Sequence, residues 1–305
     1  MSGIPYYIVD VFATEQYQGN QLAVFVDFDQ RLSDGKMQQI AREINFAETT
    51  FIRTNQNNQQ FGVRIFTPEH EVPFAGHPSL GTAYIIARFL VPNVPDRLVL
   101  QLAHADIPIT IIDPNSLSDS ILFMQQAQPE FRDLFNPDEV ASELGIDPGQ
   151  LDRALPIQEI STGLPYIIIP LKSLAALQTL SLTYDAFQAF LYKRKKYRTN
   201  SSTGHSTSLF FVTPETYEAD NSFSTRMLLL ENGHVAEDAA TGSANGCLLA
   251  YLLLHQRQSV TATIEQGFQL GRPSYIYLKG DRQEGQYRIL VGGRTQLIAE
   301  GKWYS

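Results

Sequence analysis

The chain has 305 residues, a length that favours two domains because one hydrophobic core rarely serves so long a chain. Its composition, 43% hydrophobic and 18% charged, is typical of a folded globular protein and excludes a disordered one. Its net charge of −9 argues against nucleic-acid binding, since neutralising phosphates requires a basic surface.

The first half of the chain predicts a strand-rich domain, because short β-favouring runs alternate with turn residues. The predicted strands cover residues 7–12, 22–26, 48–53, 61–66, 97–102, 107–112 and 121–125. A helix is predicted over 33–44, with Ser33 or Asp34 as its N-cap. The polar, proline-containing stretch 126–137 is the predicted boundary between the domains.

A second helix is predicted after Phe74-Ala-Gly-His-Pro78, where apolar residues recur at helical spacing. Gly76 and His77 then lie at its N-terminus, and Pro78 suits its first turn. The first N–H groups of a helix lack intrahelical partners, so this end attracts carboxylates and other anions. His77 could cap the helix, bind a ligand or transfer a proton.

The second half repeats this order loosely, which suggests an internal duplication. Residues 162–169 combine a glycine, a short turn and an apolar strand, as residues 19–25 do. Further strands are predicted at 208–212, 226–230, around 264, at 275–278, at 288–291 and at 296–299. Gly292-Gly293 is expected to break the chain before the last of them.

The segment Glu237-Asp-Ala-Ala-Thr-Gly-Ser-Ala244 opens a helix predicted over 241–255 that is apolar on nearly all sides. Its uninterrupted apolar run, 247–254, is too short to cross a bilayer, so a sheet curled around the helix is the expected enclosure. Asp238 or Thr241 could cap this helix. With Gly242 and Ser243 it forms a second anion-receptive helix start, and two such starts suggest one shared site.

Glu48 has apolar neighbours in Asn45-Phe-Ala-Glu-Thr-Thr-Phe51. A carboxyl in such surroundings resists ionisation and suits acid–base catalysis, although these residues alone favour an exposed strand carboxylate. The sequence contains no H-E-x-x-H, no P-loop, no G-x-G-x-x-G and no G-x-S-x-G around Ser243. We therefore expect no metal, no nucleotide cofactor and no serine nucleophile.

These segments together resemble the phenazine-biosynthesis PhzF-like family, which has the diaminopimelate epimerase-like fold. The resemblance follows the chain in order over almost its whole length. Its motifs are Asn45-Phe-Ala-Glu-Thr-Thr-Phe, Phe66-Thr-Pro, Gly76-His-Pro, Ser161-Thr-Gly-Leu-Pro, Arg226-Met, Glu237-Asp-Ala-Ala-Thr-Gly-Ser-Ala, Glu265-Gln-Gly, Gly271-Arg-Pro-Ser and Val291-Gly-Gly.

The resemblance implies an α+β fold of two similar domains, each a curved mixed or antiparallel sheet wrapped around a central apolar helix. The expected N-terminal domain comprises residues 1–127 plus 293–305, and the C-terminal domain comprises residues 128–292. The last strand would return to the N-terminal domain. The active site would lie in the cleft between the domains.

The related epimerases use two cysteines, and neither Gly76-His77 nor the neighbourhood of Ala240 carries a thiol, so two-thiol racemisation is excluded. The single cysteine, Cys247, lies inside the second apolar helix and is expected to pack as a small hydrophobe. The resemblance implies instead that Glu48 carries a proton between two substrate atoms. His77 and Asp238 would hold polar groups of the substrate. The remaining substrate-binding residues would be Gly76, Thr241, Gly242 and Ser243.

The expected function is therefore a cofactor-independent cytoplasmic isomerase acting on a small carboxylate-bearing metabolite. Family precedent favours a homodimer, and the single cysteine fits a reducing compartment. The alternative is a non-catalytic metabolite-binding or protein-interaction member of the same fold. Ala239 stands where the family commonly has proline, which alters the stiffness of the turn that carries Asp238. The run Lys193–Arg198 is either a basic patch or a solvated loop or helix end.

Overall fold

The computed structural model describes residues 3–103, 105–198 and 206–304. They form two compact units. Unit 1 comprises Met1–Gln125 and Gly292–Ser305, and unit 2 comprises Gln126–Val291. Both units combine strands with helices, which confirms the predicted α+β class.

The first helix of unit 1 has Ser33 as its N-cap, one of the two residues predicted for that position. The Ser33 side chain accepts a hydrogen bond from the Lys36 backbone N–H at 3.3 Å. The elements of this part of unit 1 are β1 (Ile4–Val11), β2 (Asn20–Val26), α1 (Asp34–Ile44), β3 (Glu48–Gln56), β4 (Gln60–Phe66), β5 (Glu71–Val72), α2 (Gly76–Ile85), β6 (Arg97–Gln101), β7 (Asp106–Ile111) and β8 (Leu122–Gln125). A π-helical turn, Ile86–Leu90, continues α2.

Unit 2 contains more helices than the sequence predicted. Its elements are β9 (Glu130–Phe135), α3 (Pro137–Leu144), β10 (Ile157–Ser161), β11 (Pro165–Pro170), α4 (Leu174–Thr179), α5 (Tyr184–Lys193), β12 (Ser208–Thr213), β13 (Phe223–Glu231), β14 (His234–Asp238), α6 (Gly242–His255), β15 (Ser259–Gln266), β16 (Ser274–Gln283) and β17 (Gln286–Gly293). The expected boundary stretch 126–137 is thus largely structured, because β9 pairs antiparallel with β10. The last strand, β18 (Thr295–Trp303), belongs to unit 1 and pairs antiparallel with β1.

The two units share one order of strand pairing. In unit 1, β2 pairs parallel with β3, β3 antiparallel with β4, and β4 parallel with β6. In unit 2, β11 pairs parallel with β12, β12 antiparallel with β13, and β13 parallel with β15. Helices α2 and α6 occupy equivalent places, after β5 and β14 respectively. The duplication suggested by the two glycine-led helix starts is therefore present in the topology.

Each of these two helices is enclosed by strands of its own unit. Helix α2 packs against β1, β2, β3, β6, β7, β8 and β18, and α6 packs against β10, β11, β15 and β16. Residues 77–85 of α2 and 242–253 of α6 are buried. This enclosure explains why both helices are apolar on nearly all sides. No helix in the described ranges has the length and apolarity needed to cross a membrane.

The prediction that Gly292-Gly293 breaks the chain is wrong, because both glycines lie within β17. A Cβ atom on Gly293 would lie 2.3 Å from Cδ1 of Phe12, whose ring is buried. A Cβ atom on Gly292 would lie 2.5 Å from Cδ1 of Phe123. The two glycines permit close packing within the strand rather than ending it.

Gly293→Ala should lower the free energy of unfolding by about 1–3 kcal/mol, because its methyl group would displace the buried Phe12 ring. Gly35→Ala is the matched control, since Gly35 lies in α1 and a Cβ atom there meets nothing within 4 Å. It should raise the free energy of unfolding by about 0.5–1 kcal/mol, the helix-propensity difference. Urea unfolding measures both, and equal effects of the two changes would contradict the packing argument.

Candidate functional site

Glu48 and His77 lie together in unit 1. Glu48 is the first residue of β3, opposite Leu22 of β2, and His77 is the second residue of α2. The distance between Glu48 Oε2 and His77 Nε2 is 3.4 Å. The side chain of Glu48 is 20% exposed, whereas that of His77 is 7% exposed. The carboxyl group of Glu48 can therefore contact a ligand, while the imidazole of His77 lies behind it in the protein interior.

His77 is a buried, neutral imidazole. Burial lowers its pKa to about 3, and a hydrogen bond to the backbone of Gln21 partly opposes this shift. Its Nε2 lies 3.4 Å from Glu48 Oε2 and makes no hydrogen bond to the described residues. In the tautomer that carries its proton on Nδ1, Nε2 can accept a hydrogen bond from a protonated Glu48 carboxyl group.

The expectation that His77 could cap α2 is wrong. The N-cap residue of α2 is Ala75, and no side chain caps this end. The capping geometry is absent because the imidazole is directed to the Gln21 carbonyl oxygen and to Glu48 instead. Gly76 therefore begins α2 with backbone N–H groups that no side chain caps, as an anion-binding end requires.

The pKa of His77 predicts a pH-dependent stability. In the unfolded chain the pKa of this imidazole is about 6.5. Between pH 6.5 and about pH 3 the imidazole is therefore protonated in the unfolded state and neutral in the folded state. The contribution of His77 to stability is therefore fully present above about pH 6.5 and is lost as the pH falls. By pH 5 the loss reaches about 2 kcal/mol.

His77→Asn should remove this contribution, so the difference in unfolding free energy between pH 7 and pH 5 should shrink by about 2 kcal/mol. Urea unfolding at the two pH values measures it. His234 is exposed, so His234→Asn serves as the control and should leave the difference as in the wild type. A wild-type difference retained in His77→Asn would contradict the assignment.

A second polar cluster lies in unit 2 at the start of α6. Asp238 ends β14, and the Thr241 hydroxyl donates to its Oδ2 at 2.6 Å. Thr241 is the N-cap residue of α6, yet its side chain makes no capping hydrogen bond. Thr241 therefore holds the N-cap position predicted for it or for Asp238, but its hydroxyl bonds to Asp238 instead of to a backbone N–H of α6.

Gly242 and Ser243 are the first two residues of α6, in the places that Gly76 and His77 hold in α2. The Ser243 hydroxyl lies 2.6 Å from the hydroxyl of Tyr166, a buried residue of β11. Tyr166 is a polar group beside the helix start that the sequence analysis missed. Its only signal was its place directly after the Ser161-Thr-Gly-Leu-Pro motif.

Cys247 is fully buried, and burial raises the pKa of its thiol to about 12. Its sulfur lies 3.6 Å from Thr162 Oγ1 and 3.8 Å from the backbone oxygen of Leu164. A protonated, enclosed thiol is not a nucleophile, so Cys247 packs as predicted. Within the described ranges, no three His, Cys, Asp or Glu residues form a cluster suited to a metal ion.

The basic run Lys193–Arg198 does not form an unpaired basic patch. Arg194 Nη1 donates to Glu143 of α3 and its guanidinium lies over an aromatic ring, 3.9 Å from the centroid of Phe190. Lys196 forms an ion pair with the buried carboxylate of Glu159. These cations neutralise acidic groups of unit 2, so the run has a structural role.

Comparisons with known proteins agree with these motifs. Residues 9–301 match the family described as phenazine biosynthesis-like protein, PhzC-PhzF. The chain is 34% identical to trans-2,3-dihydro-3-hydroxyanthranilate isomerase of Pseudomonas aeruginosa, over 98% of this chain and 99% of the relative. It is 33% identical to the protein of that name from Pseudomonas chlororaphis, over 97% and 98% respectively. The crystal structure of the Bacillus anthracis phenazine biosynthesis protein of the PhzF family covers all of both chains with a TM-score of 0.86 at 24% identity.

Proposed function

The chain belongs to the phenazine biosynthesis-like (PhzC-PhzF) family and is an isomerase, and from this premise we propose that it moves a proton within a small carboxylate-bearing metabolite. The proposed mechanism is acid–base catalysis by one carboxylate, Glu48, without a cofactor. The observation that carries the proposal is the pairing of a partly exposed Glu48 with a buried, neutral His77 at 3.4 Å.

Glu48 takes a proton from a carbon atom of the substrate, so a C–H bond breaks and a carboxyl O–H bond forms. The electron pair delocalises into the substrate, and the carboxyl group then returns a proton, exchangeable with solvent, to a different atom while its O–H bond breaks. Nothing is oxidised or reduced overall. Because its pKa is about 3, His77 stays neutral and its Nε2 can accept a hydrogen bond from protonated Glu48.

We assign the remaining predicted residues to substrate binding. Asp238 would bind a polar group of the substrate, with its carboxylate held by the hydroxyl of Thr241. The N–H groups of Gly76, Gly242 and Ser243 would stabilise a carboxylate or a developing oxyanion, since no side chain caps either helix. A homodimer and a cytoplasmic location remain predictions from the sequence.

Deuterium exchange tests the proposal. The wild-type protein would be incubated in D₂O with trans-2,3-dihydro-3-hydroxyanthranilate, the substrate in the name of the Pseudomonas relatives, and with a panel of other small carboxylic acids. Mass spectrometry should show gain of deuterium in at least one acid. Saturable binding of an acid without any exchange would contradict the proposal and favour the non-catalytic binding alternative.

A further inference from the structure

Gln266, the last residue of β15, lies only 1% exposed beside the turn that joins β14 to α6. Its Nε2 donates to the backbone oxygen of Asp238 at 3.0 Å and to Thr241 Oγ1 at 2.9 Å. Its Oε1 accepts from the Thr241 backbone N–H at 3.2 Å and from Asn245 Nδ2 at 3.0 Å. The two donors and the two lone pairs of this amide are therefore all used.

This arrangement fixes the orientation of the Gln266 amide. A rotation by 180° would turn its NH₂ group towards two donors, the Thr241 backbone N–H and the Asn245 NH₂ group. It would also turn its oxygen towards the Asp238 carbonyl oxygen. Leaving several buried polar groups unpaired in this way is costly, so the structure allows one orientation.

The amide in turn sets the direction of the Thr241 hydroxyl. Because Gln266 Nε2 donates to Thr241 Oγ1, the hydroxyl receives one hydrogen bond and has one proton to donate. The acceptor of that proton is Oδ2 of Asp238, at 2.6 Å. A hydrogen bond to an ionised acceptor is stronger than one between neutral groups, so it restrains the carboxylate.

The neighbours of Gln266 bring the end of β15 close to this turn and hold it there. Gly267 has φ of +77°, and a Cβ atom on it would lie 2.5 Å from the backbone oxygen of Ala239. Only glycine allows this approach. Glu265 is fully buried, and its carboxylate accepts hydrogen bonds from the Tyr217 N–H at 2.7 Å and from the Ser224 hydroxyl at 2.7 Å.

We propose that Gln266 is a positioning residue for the reaction: through the Thr241 hydroxyl it holds the Asp238 carboxylate in the orientation that binds substrate. The proposal rests on the proposed function for the role of Asp238. It gives the Glu265-Gln-Gly267 motif a task, since Gln266 and Gly267 contact the turn that carries Asp238, and Glu265 anchors the end of β15 to Tyr217 and Ser224.

Gln266→Glu tests the direction of the hydrogen-bond chain. The new carboxylate keeps the shape of the side chain and still accepts from Thr241 N–H and Asn245, but it also accepts the Thr241 hydroxyl proton. Its second oxygen replaces the donor to the Asp238 carbonyl oxygen, a structural effect that the double variant below separates from positioning. The Asp238 carboxylate then loses the hydrogen bond from the Thr241 hydroxyl. We expect kcat/KM on the acid that exchanges deuterium to fall about 10- to 100-fold, the worth of a hydrogen bond to a charged group. Gln258→Glu adds the same charge at an exposed position and should change kcat/KM by less than about twofold.

The same substitution in an Asp238→Asn background separates positioning from a general structural role. If Gln266 acts through Asp238, Gln266→Glu should change kcat/KM by less than about threefold in that background. An equal loss in both backgrounds would overturn the proposal. Wild-type activity in Asp238→Asn alone would instead contradict the proposed function of Asp238, which is a separate failure.

Crystallography tests, independently of activity, whether Gln266 directs the Thr241 hydroxyl to Asp238. Crystal structures of the wild type, Gln266→Glu and Thr241→Ser should differ in one contact. The hydroxyl at position 241 should remain within hydrogen-bond distance of Asp238 in the wild type and in Thr241→Ser, which keeps the donor. The hydrogen bond between this hydroxyl and Asp238 should be absent in Gln266→Glu, and its retention there would overturn the proposal.

Discussion

Replacing Glu48 by glutamine should lower kcat by about 10²- to 10⁴-fold, because the amide cannot accept a proton from carbon and no second carboxylate is assigned that task. The change keeps the size of the side chain, and Glu48 is partly exposed, so folding should be retained. The measurement is the rate of deuterium gain and of isomer formation for the acid identified with the wild type, with circular dichroism to verify folding.

Glu43→Gln is the matched control for this experiment. Glu43 lies on the exposed surface of α1 in the same unit, and its replacement removes the same charge. Its kcat should stay within about twofold of the wild type. If Glu48→Gln turned over the substrate at the wild-type rate, single-carboxylate catalysis by Glu48 would be wrong.

Replacing Arg226 by methionine should lower the free energy of unfolding by about 3–5 kcal/mol, because it breaks a buried ion pair. Arg226 forms a bidentate ion pair with Glu237, at 3.0 and 2.7 Å, and the side chains are only 11% and 8% exposed. Its Nη1 also donates to the backbone oxygens of Leu177 and Leu180. The substitution would leave a buried carboxylate without its counter-charge.

The double variant Arg226→Met with Glu237→Leu separates charge from packing. Removing both ions avoids the uncompensated charge, so the double variant should regain about 2 kcal/mol relative to Arg226→Met. Arg288→Met, at an ion pair with Asp281 whose arginine is 54% exposed, should cost about 0–1 kcal/mol. Urea unfolding measures all three. A double variant less stable than Arg226→Met would contradict the charge argument.

The elements that the sequence predicted best have local signals. Helix α1 has a serine cap and a polar face, and the hairpin of β3 and β4 has a polar turn between two apolar runs. Strand β9 was missed because it alternates poorly and is mostly exposed, so its identity depends on pairing with β10. The glycines at 292 and 293 were misread because their purpose, contact with aromatic rings, is a long-range one.

The distinction between local sequence signals and long-range contacts applies to the candidate site as well. Glycine-led helix starts are visible in the sequence, and the structure places Glu48 beside His77 as an acid–base interpretation requires. The predicted cap of α2 by His77 is absent, and Thr241 is the N-cap residue of α6 but bonds to Asp238 instead of to the helix backbone. Gln266 belongs to the Glu265-Gln-Gly motif, yet its contacts with Asp238 and Thr241 join residues 28 and 25 positions away in sequence and have no local signature.

The pairing of β18 with β1 has a consequence for biosynthesis. Ile4 pairs with Trp303, so unit 1 cannot complete its strand pairing until the ribosome has translated the whole of unit 2. At about 5–20 residues per second, the nascent first unit waits for roughly 10–30 s with one side of β1 unpaired. Unit 2, by contrast, is encoded by one continuous stretch, so its chain is complete while unit 1 still lacks its last strand.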